Sequence, residues 1–365
     1  MSRRCAVVGS GLAALAAYTT LRRGGVAAEE IVVLGTHEDP TAVWRERAAA
    51  IRQQKMRSES DGHLAAASFP GLSVREAWRT GSPAPLVASL ANRYHPSVAE
   101  FLAHAEKVRV RSGWKTSFRQ RRVERVRAVD GGFELDGEEA VPHVLIATGH
   151  PGLARPAEYP DAVHAYEPHE YGARIVVVGA GMAAATEWRN ALAAGAEVTS
   201  IRRRPPLRRP LNAPRPFFSK RGLAGFHRTA PVRRAGVLRD LSAPSYPPGR
   251  EWDEPVESAM EAGRFRVASP AQRSGRDTQV ICATGFLRGF RNDPLLADLV
   301  DAHDLETHEE WIVLAPDSTV PALTDERRTL ALAGVAGQWA FPAADTIAGA
   351  KYAARAFLRR TCRTR

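Results

Sequence analysis

One pattern restricts the fold of this chain more than any other: an apolar strand, a Gly-x-Gly-x-x-Ala turn and a helix, written twice. The first copy runs from Cys5-Ala6-Val7-Val8 through Gly9-Ser10-Gly11-Leu12-Ala13-Ala14 into an Ala-rich helical segment, Leu12 to Thr20. The second runs from Ile175-Val176-Val177-Val178 through Gly179-Ala180-Gly181-Met182-Ala183-Ala184 into a helix that stops at Gly195. Strand, glycine turn and helix in that order make a dinucleotide-binding unit. The first glycine permits the tight turn, the second lets backbone approach a pyrophosphate, and the small third residue lets helix and strand pack closely. N–H groups at the helix start then face the phosphates. The repeat predicts an α/β fold with two Rossmann-like domains and two bound dinucleotides.

The two units differ where the ligands differ. In the first, the strand Ile31-Val32-Val33-Leu34 runs into Gly35-Thr36-His37-Glu38-Asp39. An acid about 20 residues beyond the glycines usually holds the ribose hydroxyls. Gly35 stands in that place, so Glu38 or Asp39 is expected to take over. In the second, the strand Glu197 to Ile201 runs into Arg202-Arg203-Arg204. Arginine accommodates the 2′-phosphate that a carboxylate would repel, so Arg202 and Arg203 predict NADPH rather than NADH.

Composition closes off other classes. A chain of 365 residues has room for two domains, and 44% hydrophobic with 25% charged residues is ordinary for a globular protein. Arg3-Arg4 ahead of an apolar stretch resembles a secretory signal, but Gly9 and Gly11 interrupt it and a second strand follows. No run reaches the ~18 apolar residues of a membrane span, so no membrane partner is expected and the cytoplasm is the default location. Cys5, Cys282 and Cys362 form no C-x-x-C pair, which excludes a disulfide scaffold, a zinc ribbon and a dithiol centre. His164/His169 and His303/His308 lack partners at ligand spacing, so no metal site is expected. The formal charge of +11 comes mostly from arginine and favours acidic ligands. No helix-turn-helix, zinc-finger or ribonucleoprotein pattern accompanies it, so nucleic acid is not an expected partner.

Between the units, Thr41 to Arg45 leads into Gln53 to Ser58, a polar stretch placed to run along a bound cofactor. Gly81 to Pro85 reads as a loop, and Pro96 to Lys107 as a helix capped by Ser97. Val123 to Leu135 reads as a hairpin turning at Asp130-Gly131-Gly132. Val141 to Gly149 is a strand ending in Thr148-Gly149, an ending that lets backbone come close to a ligand. Residues 205–275 are Pro- and Arg-rich and read as irregular structure over the active site. A strand from Gln279 again ends in Ala-Thr-Gly, Leu330 to Gly334 is a final strand, and a helix starts at Asp345-Thr346 with Asp345 as its cap.

Two glycine turns, Ala147-Thr148-Gly149 before the second and Ala283-Thr284-Gly285-Phe286 after it together resemble the two-dinucleotide flavoproteins over nearly the whole chain. Within them the chain is most similar to the class B flavin monooxygenases: flavin-containing, Baeyer–Villiger and N-hydroxylating enzymes. Trp44-Arg45 resembles their Gly-Gly-x-Trp segment, with Thr41-Ala42 in place of the glycines. The resemblance implies FAD at Gly9, Ser10, Gly11 and Ala14, and NADPH at Gly179, Gly181, Met182 and Ala184. Glu38, Trp44, Arg45, Thr148, Gly149, Thr284 and Gly285 would complete the cofactor contacts. The helix after Asp345 and Thr346 would aim its positive end at the flavin pyrimidine. It also implies an FAD-binding domain of residues 1–165 and 280–365, with an NADPH-binding domain of 166–279 inserted.

The family's Phe-x-Gly-x-x-x-His fingerprint is largely missing, and only His164 falls in roughly the right place. The chemistry implied is reduction of FAD by NADPH, capture of molecular oxygen as a flavin hydroperoxide, and transfer to a small-molecule substrate by N- or S-hydroxylation or Baeyer–Villiger insertion. Arg57, Ser58 and His63 are candidates for polar groups beside the flavin. Two alternatives stand: an NADPH-dependent flavin reductase that inserts no oxygen, and a non-catalytic nucleotide-sensing flavoprotein.

Overall fold

Two five-stranded parallel sheets each carry one of the glycine turns. The computed structural model describes residues 3–56, 72–90, 94–138, 140–209, 213–269 and 278–362. β1 (Cys5–Val8) enters α1 (Leu12–Arg23), and β2 (Ile31–Gly35) returns beside β1 with Cys5 opposite Ile31. α2 (Ala42–Ala50) and α3 (Val98–Ser112) precede β3 (Phe118–Gln120) and β4 (His143–Ile146). The second sheet takes β5 (Val163–His164), β6 (Arg174–Val178), α4 (Met182–Ala193) and β7 (Glu197–Ile201). It continues through α5 (Lys220–His227), α6 (Pro231–Leu241), α7 (Arg250–Glu261), β8 (Phe265–Ala268) and β9 (Gln279–Cys282). α8 (Pro294–His303), β10 (Thr329–Leu332) and α9 (Ile347–Thr361) then rejoin the first body.

The strand orders are β10-β4-β1-β2-β3 and β8-β7-β6-β9-β5, with β1 and β6 central in each. All four residues of β1 are buried, as parallel strands covered on both faces require. Alanines make the cover thin: Ala14, Ala16 and Ala17 of α1 share a core with Ala350, Ala353 and Ala354 of α9. At Gly24 any side chain would run into Leu358, so the two helices lie in close contact there.

Several expectations change. β5 and β9 both belong to the second sheet, with Cys282 opposite His164, so these residues, expected in the first unit, pair within the second. The described part of 205–275 is not irregular but largely helical. Phe226, Ala235 and Leu238 from α5 and α6 share a core with Leu299, Trp311 and Trp339 of the first body. Proline hid these helices: Pro231 sits at the first turn of α6, where a missing N–H costs nothing, and Pro255 lies inside α7. Ala84–Leu90 is a short helix that takes up the end of the expected loop. Ser97 does cap α3, its hydroxyl accepting from the Glu100 N–H at 3.1 Å, and Val126–Val129 pairs antiparallel with Gly132–Leu135.

The segments that cross between the bodies pair with each other. Ala154 N–H donates to the Gly285 carbonyl and Leu287 N–H to the Gly152 carbonyl, both at 2.9 Å. The inserted unit is therefore joined by a two-stranded ribbon. No described helix is long and apolar enough to cross a membrane, and no described His, Cys, Asp or Glu residues cluster as a metal site.

Candidate functional site

The glycine turns share a constraint that spacing alone did not reveal. Gly9 sits at φ +119°, and a side chain there would strike the carbonyl oxygen of Ala147; Gly179 sits at φ +138° and would strike that of Ala283. Each alanine opens an Ala-Thr-Gly segment, so turn and strand ending are halves of one packing device. Gly11 has open space where a side chain would be, and it starts α1 with no side-chain cap. Gly181 starts α4 in the same way. Uncapped N–H groups facing open space suit a phosphate. Ala14 and Ala184 are fully buried against their sheets. These cradles, which a Cβ would fill, fit the two dinucleotides.

A cavity of about 1480 Å³ extends from the first turn, lined by Gly9, Ser10, Gly11, Trp44, Thr148, Gly149, Asp345 and Thr346 among others. Trp44 packs edge-on to Phe101 at 5.0 Å between centroids. Thr148 donates to Asp293 at 2.8 Å, and Asp293 also caps α8 through the Leu295 N–H at 3.1 Å. The last helix opens onto the cavity, but its cap is Thr346, whose hydroxyl accepts from Gly349 N–H at 3.1 Å; Asp345 lies one residue outside. Lys351, one turn further on, faces the same space, and burial together with Arg355 and Arg23 pushes its pKa down to about 8.

Other predicted residues stand elsewhere. Glu38 does not line the cavity: its carboxylate pairs with Arg109 at 3.5 Å, and its carbonyl accepts from the Trp114 indole at 2.8 Å. Arg45 does not line it either; it pairs at 2.8 Å with Asp39, which does line it. Arg47 takes the inward place, its guanidinium 4.9 Å from the Phe286 ring centre. Arg45 and Arg47 are two positions apart, about 200° around a helix, so they leave α2 on different sides.

A stack of rings, unforeseen in the sequence, forms the wall beside Arg47. His150 lies 4.5 Å from Phe286, Phe286 4.9 Å from Tyr166, and Tyr166 5.6 Å from His164, all within 25° of parallel. His150, Tyr166 and Phe286 line the cavity; His164 does not, being fully buried in β5. Its Nδ1 accepts from Tyr166 N–H at 3.2 Å, and burial, with Arg155 nearby, pushes its pKa down to about 4. His164 is thus enclosed in the second sheet, away from the cavity. Thr284 donates to the Ala154 carbonyl, and Gly285, at φ +79°, belongs to the crossing ribbon.

Gly179, Gly181, Met182, Ala184, Arg202 and Arg203 gather at the ends of β6 and β7, outside this cavity. Arg202 is half-buried, Arg203 is exposed, and neither is ion-paired with a described residue. Arg57, Ser58 and His63 lie outside the described residues.

Two parallel nucleotide units, one inserted in the other, define a two-dinucleotide oxidoreductase architecture. The chain belongs to the pyridine nucleotide-disulphide oxidoreductase family, whose model matches residues 3–216. No curated protein matches it. It is similar in structure to the ornithine N-hydroxylase of Kutzneria sp. 744, with 16% identity, 100% of this chain and 99% of that chain covered, and a TM-score of 0.73. It is likewise similar to the cadaverine monooxygenase of Erwinia amylovora (12% identity, 99% and 94% covered, TM-score 0.74). The bacillithiol disulfide reductase of Bacillus cereus matches with 15% identity, 100% of both chains and a TM-score of 0.61.

Proposed function

We propose that this protein is an FAD- and NADPH-dependent monooxygenase that hydroxylates a nitrogen of a small molecule. The observation that carries the reading is the doubled device of glycine turn against Ala-Thr-Gly, with one large cavity leading from the first turn to the N-terminus of α9. In this reading FAD lies along that cavity, from Gly9, Ser10, Gly11 and Ala14 to Thr346, and residues 3–162 with 283–362 form its domain. NADPH lies on Gly179, Gly181, Met182 and Ala184, with Arg202 and Arg203 on its 2′-phosphate. The two monooxygenases above are named for ornithine and cadaverine, and the Kutzneria title includes reduced FAD, NADP+ and L-ornithine. Those names favour an amine as the acceptor.

FAD when bound supplies the electron transfer and the activation of oxygen. The chain's part is to hold and shield. The α1 N–H groups bind the pyrophosphate, and the N-terminal end of α9, capped by Thr346, stabilises negative charge on the ring system. The Arg47, His150, Phe286 and Tyr166 wall keeps water from the reacting face, and Lys351 offers a proton or a positive charge within the cavity. Arg57, Ser58 and His63 remain proposed neighbours of the flavin.

The bacillithiol reductase likeness gives a second reading, transfer of electrons to an acceptor without oxygenation. No cysteine lines the cavity, since Cys5 and Cys282 are buried and Cys362 stands near the chain's end, which disfavours a thiol relay through this chain. Purified protein should retain FAD, lose its flavin colour on anaerobic addition of NADPH, and form a hydroxylamine from a primary amine in air. Peroxide alone as product would favour the reductase, and absence of flavin would reject both readings.

A further inference from the structure

The turn after β2 is closed to any acid at the place where the ribose hydroxyls of a nucleotide lie. A side chain at Gly35 would collide with Cβ and Oγ of Ser10, so no carboxylate fits there. Ser10 in turn accepts the His37 N–H at 3.2 Å, which fixes the loop. Both acids that follow have partners: the Glu38 carboxylate pairs with Arg109, and that of Asp39, which lines the cavity, accepts from the Thr41 N–H at 2.8 Å and pairs with Arg45. Across the loop, the Arg121 N–H donates to the Gly35 carbonyl at 2.9 Å, so β3 delivers Arg122 to the same rim. Arg122 is exposed, lines the cavity with Thr36 and His37, and is ion-paired with no described residue. Glu124, a further acid lining the cavity, lies two residues beyond Arg122, roughly 7 Å of extended chain.

A carboxylate at the end of the second strand is what excludes a 2′-phosphate, and an arginine is what welcomes one. The first site lacks the former and has the latter. We propose that the first nucleotide pocket accepts an adenosine ribose bearing a 2′-phosphate, so that 2′-phosphorylated adenine nucleotides, NADPH among them, compete with FAD there. Excess NADPH then acts as an inhibitor as well as a reductant, by emptying the flavin site.

The inference rests on FAD occupying the first turn, and the test separates the two. Apoprotein is loaded with FAD, and its displacement by adenosine 5′-diphosphate or by the same diphosphate carrying a 2′-phosphate is followed by flavin fluorescence. The expected result is displacement by both, with inhibition constants within about threefold of each other, and an R122A variant that weakens the 2′-phosphorylated ligand alone by about tenfold. H37D, which installs an acid on the rim, should instead separate the ligands by at least about tenfold in favour of the diphosphate. Displacement by the diphosphate at more than about tenfold lower concentration in the wild-type protein, or displacement by neither, overturns the inference while FAD binding stands. Failure to bind FAD at all overturns the cofactor assignment instead.

Discussion

Gly9 and Gly11 stand two residues apart and serve different ends. Gly9→Ala forces a side chain into the Ala147 carbonyl at a positive φ, so it should cost about 2–3 kcal/mol and lower the melting temperature. Gly11→Ala meets no atom within 4 Å, so melting should be unchanged while FAD affinity falls. Equal melting losses in the two variants would contradict this division between packing and cradle. Histidine gives a second test at this scale. Burial is the leading cause that holds His143, His150 and His164 each at about 4, below the unfolded value near 6.5. A folded pKa depressed in this way means stability that is present above pH 6.5 and lost as pH falls toward 4. His169, raised overall by its bond to Glu187 despite burial, acts oppositely, its contribution fading as pH rises through its folded pKa. Melting temperature should therefore drop across the acid window, less steeply in H164N; identical slopes would show that His164 is not held neutral.

At the scale of elements, strands and turns were legible because their signals are local. Four apolar residues before a glycine turn mark a buried strand whatever follows, and the β1 and β6 units stand where those signals put them. The residues chosen around the turns were less legible, because pairing is remote in sequence. Nothing near Glu38 announces that Arg109 on α3 will claim it, and nothing near Phe286 announces Arg47. Proline-rich composition hid α5 to α7 for a similar reason, since their stability comes from packing against Trp311 and Trp339 rather than from propensity. The cap of α9 was displaced by one residue, within the usual uncertainty of a helix end. Thr346→Ala removes that cap and should cost about 1 kcal/mol, read as a lower melting temperature together with weaker FAD retention. Unchanged flavin retention would detach the α9 terminus from the cofactor. For the second unit, R202A/R203A should raise KM for NADPH by about tenfold and leave that for NADH within about twofold. Equal changes would remove the 2′-phosphate from these arginines.

The whole molecule is one nucleotide unit set inside another, joined by the 152–154 and 285–287 ribbon. The ring stack of His150, Phe286, Tyr166 and His164 crosses this junction: His150 and Phe286 come from the crossing segments, His164 from β5 of the inserted sheet, and Arg47 from α2 of the first body. In the proposed reaction such a joint would tie the placement of the reductant to the wall of the flavin cavity. The central claim is that electrons entering at the second turn are spent on oxygen transfer at the first. Turnover of a primary amine with NADPH under isotopically labelled dioxygen tests it most directly. The account predicts one labelled oxygen atom in the hydroxylamine for each NADPH consumed; label found only in peroxide or water, with the amine unchanged, would contradict it.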